Sequence, residues 1–504
     1  MTEAQQARPV TLAIGGSDSA GMAGVQADQR VITALGGHAA TAISAVTAQN
    51  SDGVAGINPV AADVLRQQIA SCWALAPSAV KIGLLATVEQ VRACAEALVE
   101  YNRNGTVPVV LDPVLASSSG HHLVDGGVAK ALRELLLPLV TLVTPNRSEA
   151  ARLTSLDMTA ATDIPLAAAQ LGHQGAAYLK GGHWQGTASS DYFHSPTQHF
   201  WLSSPRLATP HQRGTGCTLA SAAATALALG YSHADAVVIA KMAVNQGLRQ
   251  GHGWASHPGP LSVTHFPNAG RDLPLLSDMP PANLEEPPFP SCGPSPLGLY
   301  PVVDRAAWLN TLLPAGVTTI QLRIKDLTGT ALRDEIRRAI AVAEQHRARL
   351  FINDYWQLAI ELGAYGVHLG QEDLADADIA AIRDAGLRLG ISTHCHYEVA
   401  RALPLRPSYL ACGPVYPTTS KDMPWVPHGP SGLSYWRQVL HDYPLVAIGG
   451  IDRSRLPAVH ATGADGIAMI SALTQAADPA ATAREFIALL SSPDWSLDQL
   501  AQAQ

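Results

Sequence analysis

The sequence is poor in the features that mark several classes of protein. Its 504 residues include six cysteines and no Cys-x-x-Cys pair, which argues against a disulfide or zinc framework and favours reduced thiols in a cytoplasm. Only 15% of the residues are charged and the net charge is −8, so the chain lacks the basic face that binding to nucleic acid requires. Its apolar runs are short or interrupted, and the N-terminus lacks a secretory apolar region. We therefore expect a cytoplasmic protein that does not cross a membrane.

The length predicts two domains, because 504 residues exceed what one hydrophobic core ordinarily holds. Between the two lies a proline-rich stretch, PPANLEEPPFPSCGPSP, from Pro280 to Pro296. Its prolines lack backbone donors and fix φ, so neither a helix nor a sheet can continue through it, and an extended, semi-rigid spacer is expected. We predict an N-terminal domain at residues 1–266, a linker at 267–297 and a C-terminal domain at 298–504.

Short apolar runs alternate with helical stretches in the first domain. The runs VTLAIGG, AATAISAV, AVKIGLL, VPVVLDP, VTLVTPN and AAYLKGG are typical of buried strands. This alternation predicts an α/β fold, with an open, mostly parallel sheet covered by helices on both faces. Ligands of such sheets bind beyond the carboxyl ends of the strands.

Two of these strand ends have both a functional and a structural interpretation. The glycine-rich loop Gly15–Gly24 would let the backbone approach a small ligand, although such turns are often only structural. Asn146 and Glu149, in TPNRSEA, could hold the water shell of a magnesium ion. The same spacing also predicts a helix N-cap with its capping-box glutamate, and this interpretation stays open beside the first.

A third strand end carries Arg213-Gly-Thr-Gly-Cys217-Thr, followed by the alanine-rich run LASAAATALALG. Alanine favours helix, so Gly214, Gly216 and Cys217 are predicted at a helix N-terminus. Free backbone N–H groups and the helix dipole make such a terminus a site for an anion, including a phosphoryl group in transfer. The dipole is also expected to lower the thiol pKa of Cys217. Alternatively, the cysteine is a small buried apolar residue beside a glycine turn.

Eight strand-like runs follow the linker and predict a (β/α)8 barrel, in which the active site lies where the strands end. The runs are LYPVV, VTTIQLR, RLFIN, GVHLG, LRLGIS, SYLACG, PLVAIGG and DGIAMIS. Polar groups stand at seven of the strand ends, beginning with Gln321, Arg323 and Lys325 on one side of the second strand. Asp354 and Asp373 would supply hard oxygens to a magnesium ion that bridges a diphosphate. Taken singly, these groups could be helix caps or solvated charges.

The first domain resembles the ribokinase-like superfamily and, within it, hydroxymethylpyrimidine and phosphomethylpyrimidine kinases. The resemblance covers about Val10 to Gln250 and rests on SDSAGMAGVQAD, KIGLL, LDPV, TPNRSEA, LKGGH and RGTGCTLASA. It implies ATP as phosphoryl donor, with Gln49 on the aminopyrimidine edge and Asp28 shaping the pocket. It also implies that Lys180 neutralises phosphate and that Cys217 sits beside the acceptor oxygen. Leu84 stands where many relatives have Met.

The second domain is similar to thiamine phosphate synthase over about Leu299 to Leu473, through QLRIKD, FINDYWQLA, GVHLGQED, GPVYPTTSK and GADGIAMIS. The resemblance implies coupling of a pyrimidine diphosphate to thiazole phosphate, with Asp354 and Asp373 on Mg²⁺. The residues implied at the diphosphate are Arg323, Lys325, Asn353 and Lys421. Ser392 would lie near the pyrimidine. The thiazole phosphate would be held by Thr418, Ser420, Gly450, Ile470 and Ser471.

Together the two halves predict a bifunctional enzyme of thiamine biosynthesis, because the kinase product is the synthase substrate. Its partners would be small molecules: hydroxymethylpyrimidine and its phosphates, thiazole phosphate and ATP. Two alternatives stay open, a kinase for another vitamer such as a pyridoxal-type alcohol, and a half that senses a ligand without catalysis. The sequence also leaves a homo-oligomer open.

Overall fold

The computed structural model of the protein describes residues 8–116, 123–124, 126–173, 175–181, 186–254, 257–279, 286–418 and 427–491. The chain folds into two compact units. The first comprises Met1–Pro267 and Arg271–Leu284, and the second Asn268–Gly270 and Glu285–Gln504. Within the described ranges, no helix combines the length and the apolar character needed to cross a bilayer.

A ten-stranded sheet forms the centre of the first unit, in the order β10-β9-β8-β7-β6-β5-β4-β1-β2-β3. Its strands are β1 (Val10–Asp18), β2 (His38–Gln49), β3 (Val54–Pro59), β4 (Ala79–Ile82), β5 (Val109–Leu111), β6 (Leu142–Val143), β7 (Ala176–Leu179), β8 (Ala188–His194), β9 (His199–Pro205) and β10 (Leu275–Ser277). The six predicted strands are the central, parallel ones, β7-β6-β5-β4-β1-β2. The other four strands, which were not predicted, are antiparallel and extend the two edges.

Helices connect the parallel strands of the first unit. They are α1 (Gly24–Ala34), α2 (Ala62–Trp73), α3 (Val88–Tyr101), α4 (Val128–Ala131), α5 (Arg147–Thr154), α6 (Asp163–Leu171), α7 (Thr215–Ala228) and α8 (His233–Gln250), with a π-helical segment at Leu132–Leu136 and 3₁₀ turns at Leu137–Leu139 and Gly270–Asp272. Leu12, Ile14 and Val80 on the central strands are fully buried in the core. The continuous apolar runs therefore predicted these strands correctly, because strands covered on both faces need apolar residues at every position.

The second unit is a closed barrel of eight parallel strands, as predicted. They are β11 (Gly298–Val303), β12 (Thr319–Leu322), β13 (Arg349–Asn353), β14 (Gly366–Leu369), β15 (Arg388–Thr393), β16 (Tyr409–Cys412), β17 (Leu445–Ile448) and β18 (Gly466–Met469). The helices are α9 (Ala307–Leu312), α10 (Gly329–Gln345), α11 (Trp356–Glu361), α12 (Asp373–Asp376), α13 (Ile379–Asp384), α14 (His396–Ala402), α15 (Gly429–Val439), α16 (Leu456–His460), α17 (Ser471–Thr474) and α18 (Pro479–Ser491), with a 3₁₀ turn at Leu403–Leu405.

Aromatic rings fill the barrel interior. Tyr300, Phe351 and Tyr409 are at most 1% exposed and pack against one another, with ring centroids 5.1 to 5.9 Å apart. Gly390 makes room for this cluster, because a Cβ at that position would lie 2.1 Å from the Tyr409 ring. The interior is thus a packed core, and ligands are left to the ends of the strands.

Residues 286–297, which lie within the predicted linker 267–297, pack against the N-terminal end of the barrel. Phe289 and Cys292 are buried there, and the Arg383 guanidinium lies 4.9 Å from the centre of the Phe289 ring. Arg349 donates to the carbonyl oxygens of Cys292, Ser295 and Pro296 at 3.3, 3.0 and 2.7 Å. Proline lacks a backbone donor but keeps its carbonyl acceptor, so an arginine can bind an extended proline-rich segment through its carbonyl oxygens.

Candidate functional site

A cavity of about 830 Å³ opens at the carboxyl ends of the parallel strands in the first unit. Seven of the predicted kinase residues line it: Gln49, Asn146, Glu149, Lys180, Gly214, Gly216 and Cys217. Leu84 lines it as well, whereas Asp28 is fully buried and is not part of the lining. The fold therefore brings together side chains that are up to 168 positions apart in the sequence, Gln49 and Cys217.

The glycine-rich loop after β1 is held by Asp18, whose carboxylate accepts hydrogen bonds from the backbone N–H groups of Ala20, Met22 and Ala23 at 2.7 to 2.9 Å. The Ser19 hydroxyl donates to the carbonyl oxygen of Gln49 at 2.9 Å and accepts from its N–H at 3.0 Å. This loop and the end of β2 are thus joined, which fixes the backbone that carries the Gln49 side chain at the cavity.

Helix α7 begins at the cavity, as its sequence predicts. Its N-cap Gly214 has φ +84°, and a Cβ there would lie 2.3 Å from the carbonyl oxygen of Met22, so the position requires glycine. A Cβ at Gly216 would lie 3.2 Å from an Asp112 oxygen and 3.4 Å from Lys180 Nζ. The first turn of the helix, with its unpaired N–H groups and positive dipole end, therefore faces charged side chains inside the cavity.

The predicted lowering of the Cys217 pKa is wrong. Cys217 lines the cavity, and burial of its thiol raises the pKa to about 11. Nearby Lys81 lowers it, whereas the carboxylates of Asp28 and Asp112 raise it. Desolvation is the largest cause of this shift, because the enclosed surroundings disfavour a thiolate. The sulfur therefore carries its proton at neutral pH.

Lys180 connects two acidic groups across the cavity. Its Nζ lies 2.8 Å from Asp112 and 3.7 Å from Glu149. Burial raises the pKa of Glu149 to about 7, with Lys180 lowering it and Asp112 raising it. The Glu149 carboxylate also accepts from the Asn146 N–H at 2.7 Å, and the Asn146 side chain accepts from the Glu149 N–H at 3.0 Å. The capping box is thus present, and Glu149 faces Lys180 at the same time.

Asp28 supports the cavity from behind. Both of its oxygens accept from Lys81 Nζ, at 2.8 and 2.9 Å, and one accepts from the Ser221 hydroxyl at 2.8 Å. Lys81 lines the cavity although it is only 1% exposed. Asp28 thus acts on the pocket through Lys81. Lys81 lies in the run KIGLL, and no role was predicted for it.

A second buried ion pair lines the same cavity and was also missed. Lys241 Nζ lies 2.6 Å from Asp191 Oδ2, and the Tyr178 hydroxyl donates to the same oxygen at 2.7 Å. Asp191 lies on the antiparallel strand β8 and Lys241 within α8, so no strand-end rule points to either. Asp112, in contrast, directly follows β5, and the same rule could have found it.

The predicted synthase residues within the described ranges lie at or just beyond the carboxyl ends of the barrel strands. They are Gln321, Arg323, Lys325, Asn353, Asp354, Asp373, Ser392, Thr418, Gly450, Ile470 and Ser471. Ser420 and Lys421 lie outside the described residues. Because all eight strands are parallel, these positions share one end of the barrel.

Two aspartates and a lysine meet at this end. Lys325 Nζ lies 2.5 Å from Asp354 Oδ2, and Asp354 has φ +65°, an unusual value for a residue other than glycine. Partial burial raises the pKa of Asp373, and the adjacent Asp354 carboxylate raises it further. Adjacent carboxylates with hard oxygens fit Mg²⁺, which would relieve their repulsion. In the described part of the chain, no group of three or more His, Cys, Asp or Glu side chains is arranged to hold a metal.

Ser392 at the end of β15 is hydrogen-bonded to His368, a polar residue at the end of the fourth barrel strand for which no role was predicted. Its hydroxyl lies 2.8 Å from His368 Nε2. Burial lowers the pKa of His368 to about 4. His368 lies in the run GVHLG, where strand alternation places it on the side opposite to Val367 and Leu369.

Comparison with known proteins assigns both units. The family model for phosphomethylpyrimidine kinase matches residues 18–262, and that for thiamine monophosphate synthase matches residues 299–473. The thiamine-phosphate synthase of Klebsiella pneumoniae subsp. pneumoniae is 54% identical over 209 residues, which cover 42% of this chain and 99% of that protein. The chain belongs to the thiamine-phosphate synthase family.

Solved structures similar to the first unit include phosphomethylpyrimidine kinase from Clostridium difficile, with 32% identity and a TM-score of 0.42 over 47% of this chain and 98% of that one. Another is pyridoxal kinase from Staphylococcus aureus in complex with ADP, with 28% identity and a TM-score of 0.48 over 52% of this chain and 95% of that one.

The prediction of a bifunctional enzyme of thiamine biosynthesis is confirmed, because a phosphomethylpyrimidine kinase unit and a thiamine-phosphate synthase unit occur in one chain. Both families are enzymes, one of kinases and one of transferases. The family matched by the first unit does not favour the pyridoxal-type alternative.

Proposed function

We propose that the first unit transfers phosphoryl groups from ATP to hydroxymethylpyrimidine and then to its monophosphate. The observation that supports this is the convergence of the α7 N-terminus, Lys180 and Cys217 on one cavity. The N–H groups of the first helical turn would stabilise the negative charge spread over a phosphoryl group in transfer, and Lys180 would neutralise it. Gln49 would hydrogen-bond the aminopyrimidine edge. Cys217, as a protonated thiol, would position the acceptor oxygen.

Magnesium would be held indirectly in this unit. Asn146 and Glu149 already bond to each other's backbone, and Glu149 also faces Lys180, so they fit the water shell of the ion better than its direct coordination. When bound, the ion would supply positive charge to the phosphates of ATP. Lys180, released from Asp112 or shared with it, would approach the same phosphates.

The second unit would couple the pyrimidine diphosphate with thiazole phosphate to give thiamine phosphate and pyrophosphate. The supporting observation is the placement of Asp354, Asp373 and Lys325 together at the end of the barrel. Asp354 and Asp373 would hold Mg²⁺, which supplies charge to the leaving pyrophosphate. The diphosphate would be gripped by Arg323, Lys325, Asn353 and Lys421. The phosphate of the thiazole would be held by Thr418, Ser420, Gly450, Ile470 and Ser471.

Loss of pyrophosphate would leave a pyrimidine cation, which the thiazole nitrogen captures. Ser392 would contact the pyrimidine ring during this step. A location in the cytoplasm and assembly into a homo-oligomer stay predictions.

A coupled assay tests both halves. Purified enzyme is given hydroxymethylpyrimidine, ATP, Mg²⁺ and thiazole phosphate, and thiamine phosphate is measured. We expect Cys217→Ala to stop phosphorylation of the pyrimidine without unfolding its unit, while supplied pyrimidine diphosphate is still converted. Formation of thiamine phosphate from hydroxymethylpyrimidine should be absent without ATP. If the wild-type enzyme phosphorylated pyridoxal and not the pyrimidine, the proposed kinase substrate would be wrong.

A further inference from the structure

A chain of hydrogen bonds runs through the barrel interior to Ser392. Gln321 Nε2 lies 3.5 Å from the Tyr300 hydroxyl, which lies 2.7 Å from the Tyr409 hydroxyl. The Tyr409 hydroxyl lies 2.7 Å from His368 Nδ1, and His368 Nε2 lies 2.8 Å from the Ser392 hydroxyl. These five side chains come from five different strands of the barrel, so the chain crosses its core.

The first four side chains of this hydrogen-bond chain are shielded from solvent. Gln321, Tyr300, Tyr409 and His368 are at most 6% exposed. Buried polar groups need partners, because an unmatched donor or acceptor loses its hydrogen bond to water without replacement. The protons of the chain are therefore expected to be arranged so that every hydroxyl proton finds an acceptor.

The orientation of the Gln321 amide sets the direction of donation along these hydrogen bonds. The Gln321 amide donates to Tyr300, so the Tyr300 proton goes to Tyr409 and the Tyr409 proton goes to His368 Nδ1. With the amide in this orientation, the opposite direction would make Tyr300 accept from both Gln321 and Tyr409, and its own proton would have no acceptor along these hydrogen bonds. With Nδ1 accepting, His368 carries its proton on Nε2 and donates to Ser392.

We propose that Gln321, Tyr300, Tyr409 and His368 fix the Ser392 hydroxyl as an acceptor from His368, so that its own proton is presented at the barrel mouth as a hydrogen-bond donor. The group it would bind is a ring nitrogen of the aminopyrimidine, which is a hydrogen-bond acceptor. This inference rests on the proposed function and deepens it. Tyr300, Tyr409 and His368 are then positioning residues that act on the substrate through Ser392.

The proton positions can be measured without substrate. ¹⁵N NMR of the histidine-labelled protein distinguishes the two imidazole nitrogens, and a His368→Gln variant assigns the signals. We expect the proton of His368 on Nε2, unchanged in Tyr365→Phe and redistributed between both nitrogens in Tyr409→Phe. Tyr365 is a matched control, because it packs on the same aromatic cluster while its hydroxyl donates to the Cys292 carbonyl instead. A His368 proton on Nδ1 in the wild-type protein would overturn the inference.

A double-mutant cycle tests whether the chain acts through Ser392. Tyr409→Phe should lower kcat/KM for the pyrimidine diphosphate by about tenfold, the effect of one neutral hydrogen bond. The same change in a Ser392→Ala background should have little further effect, and Tyr300→Phe should give a smaller loss than Tyr409→Phe. Equal losses in both backgrounds would overturn the inference. Absence of synthase activity in the wild-type enzyme would refute the proposed function instead, and the NMR result would still decide the direction of the chain.

Discussion

Removal of Lys81 tests how the kinase cavity is supported. Asp28 and Lys81 are at most 1% exposed, and the Lys81 ammonium lies within 2.9 Å of both carboxylate oxygens. Lys81→Met keeps the apolar stem but leaves a buried carboxylate whose remaining side-chain donor is the Ser221 hydroxyl. Breaking a buried ion pair in this way costs about 3–5 kcal/mol. For a unit of this size, the midpoint of thermal unfolding should fall by roughly 6–20 °C.

Calorimetry on the full chain measures this effect, and two variants control for it. Lys130→Met removes an exposed lysine 4.0 Å from Glu134, and such surface pairs contribute less than about 1 kcal/mol. Asp28→Asn combined with Lys81→Met removes both charges and should recover much of the lost stability. The reasoning is refuted if Lys81→Met unfolds at the same temperature as Lys130→Met, or if the double variant is no more stable than Lys81→Met alone.

Three further predictions follow from the two sites. Because burial raises the Cys217 pKa to about 11, alkylation of this thiol, followed by peptide mass spectrometry, should be slow at neutral pH and accelerate as the pH approaches that value; rapid alkylation at neutral pH would contradict this. Burial raises the folded-state pKa of Glu149 from its ordinary value of 4.5 to about 7. The stability that the protonated Glu149 carboxyl provides should therefore be lost as the pH rises from 4.5 to about 7, and Glu149→Gln should flatten this pH dependence in denaturation curves. Asp373→Ala should abolish thiamine phosphate formation and its magnesium dependence while phosphorylation of the pyrimidine continues; loss of both activities would show that the units are not independent.

The sequence was sufficient to predict the parallel strands of both units. Their residues form continuous apolar runs, which buried strands need, and the eight runs of the second unit match the eight barrel strands. The antiparallel strands β8 and β9 were not recognised. Their segments, ASSDYFH and HFWLSSP, mix serine and histidine with aromatic residues and so lack a continuous apolar run. Ser203 and Ser204 are nevertheless buried, because their hydroxyls are hydrogen-bonded to other polar side chains.

The sequence indicated where the site residues lie more completely than it indicated their ion-pair partners and pKa shifts. Strand ends located Asn146, Glu149 and Asp354, because topology alone brings such positions together, whereas Gln49 and Lys180 were expected from the family resemblance. Sequence spacing does not reveal that Lys180 pairs with Asp112, 68 positions away, or Lys241 with Asp191, 50 positions away. The sign of the Cys217 pKa shift was wrong for the same reason, because desolvation depends on everything that surrounds the sulfur.

The contacts of residues 286–297 determine where the protein can be divided into separately expressed units. A separate synthase that started at residue 298 would leave the Arg349 guanidinium without three carbonyl acceptors and would uncover the underside of the barrel core. Fragments intended for separate expression, or for exchange of the kinase partner, should therefore begin upstream of Glu286. Residues 286–297 therefore belong structurally to the synthase unit, where they cover the N-terminal end of the barrel.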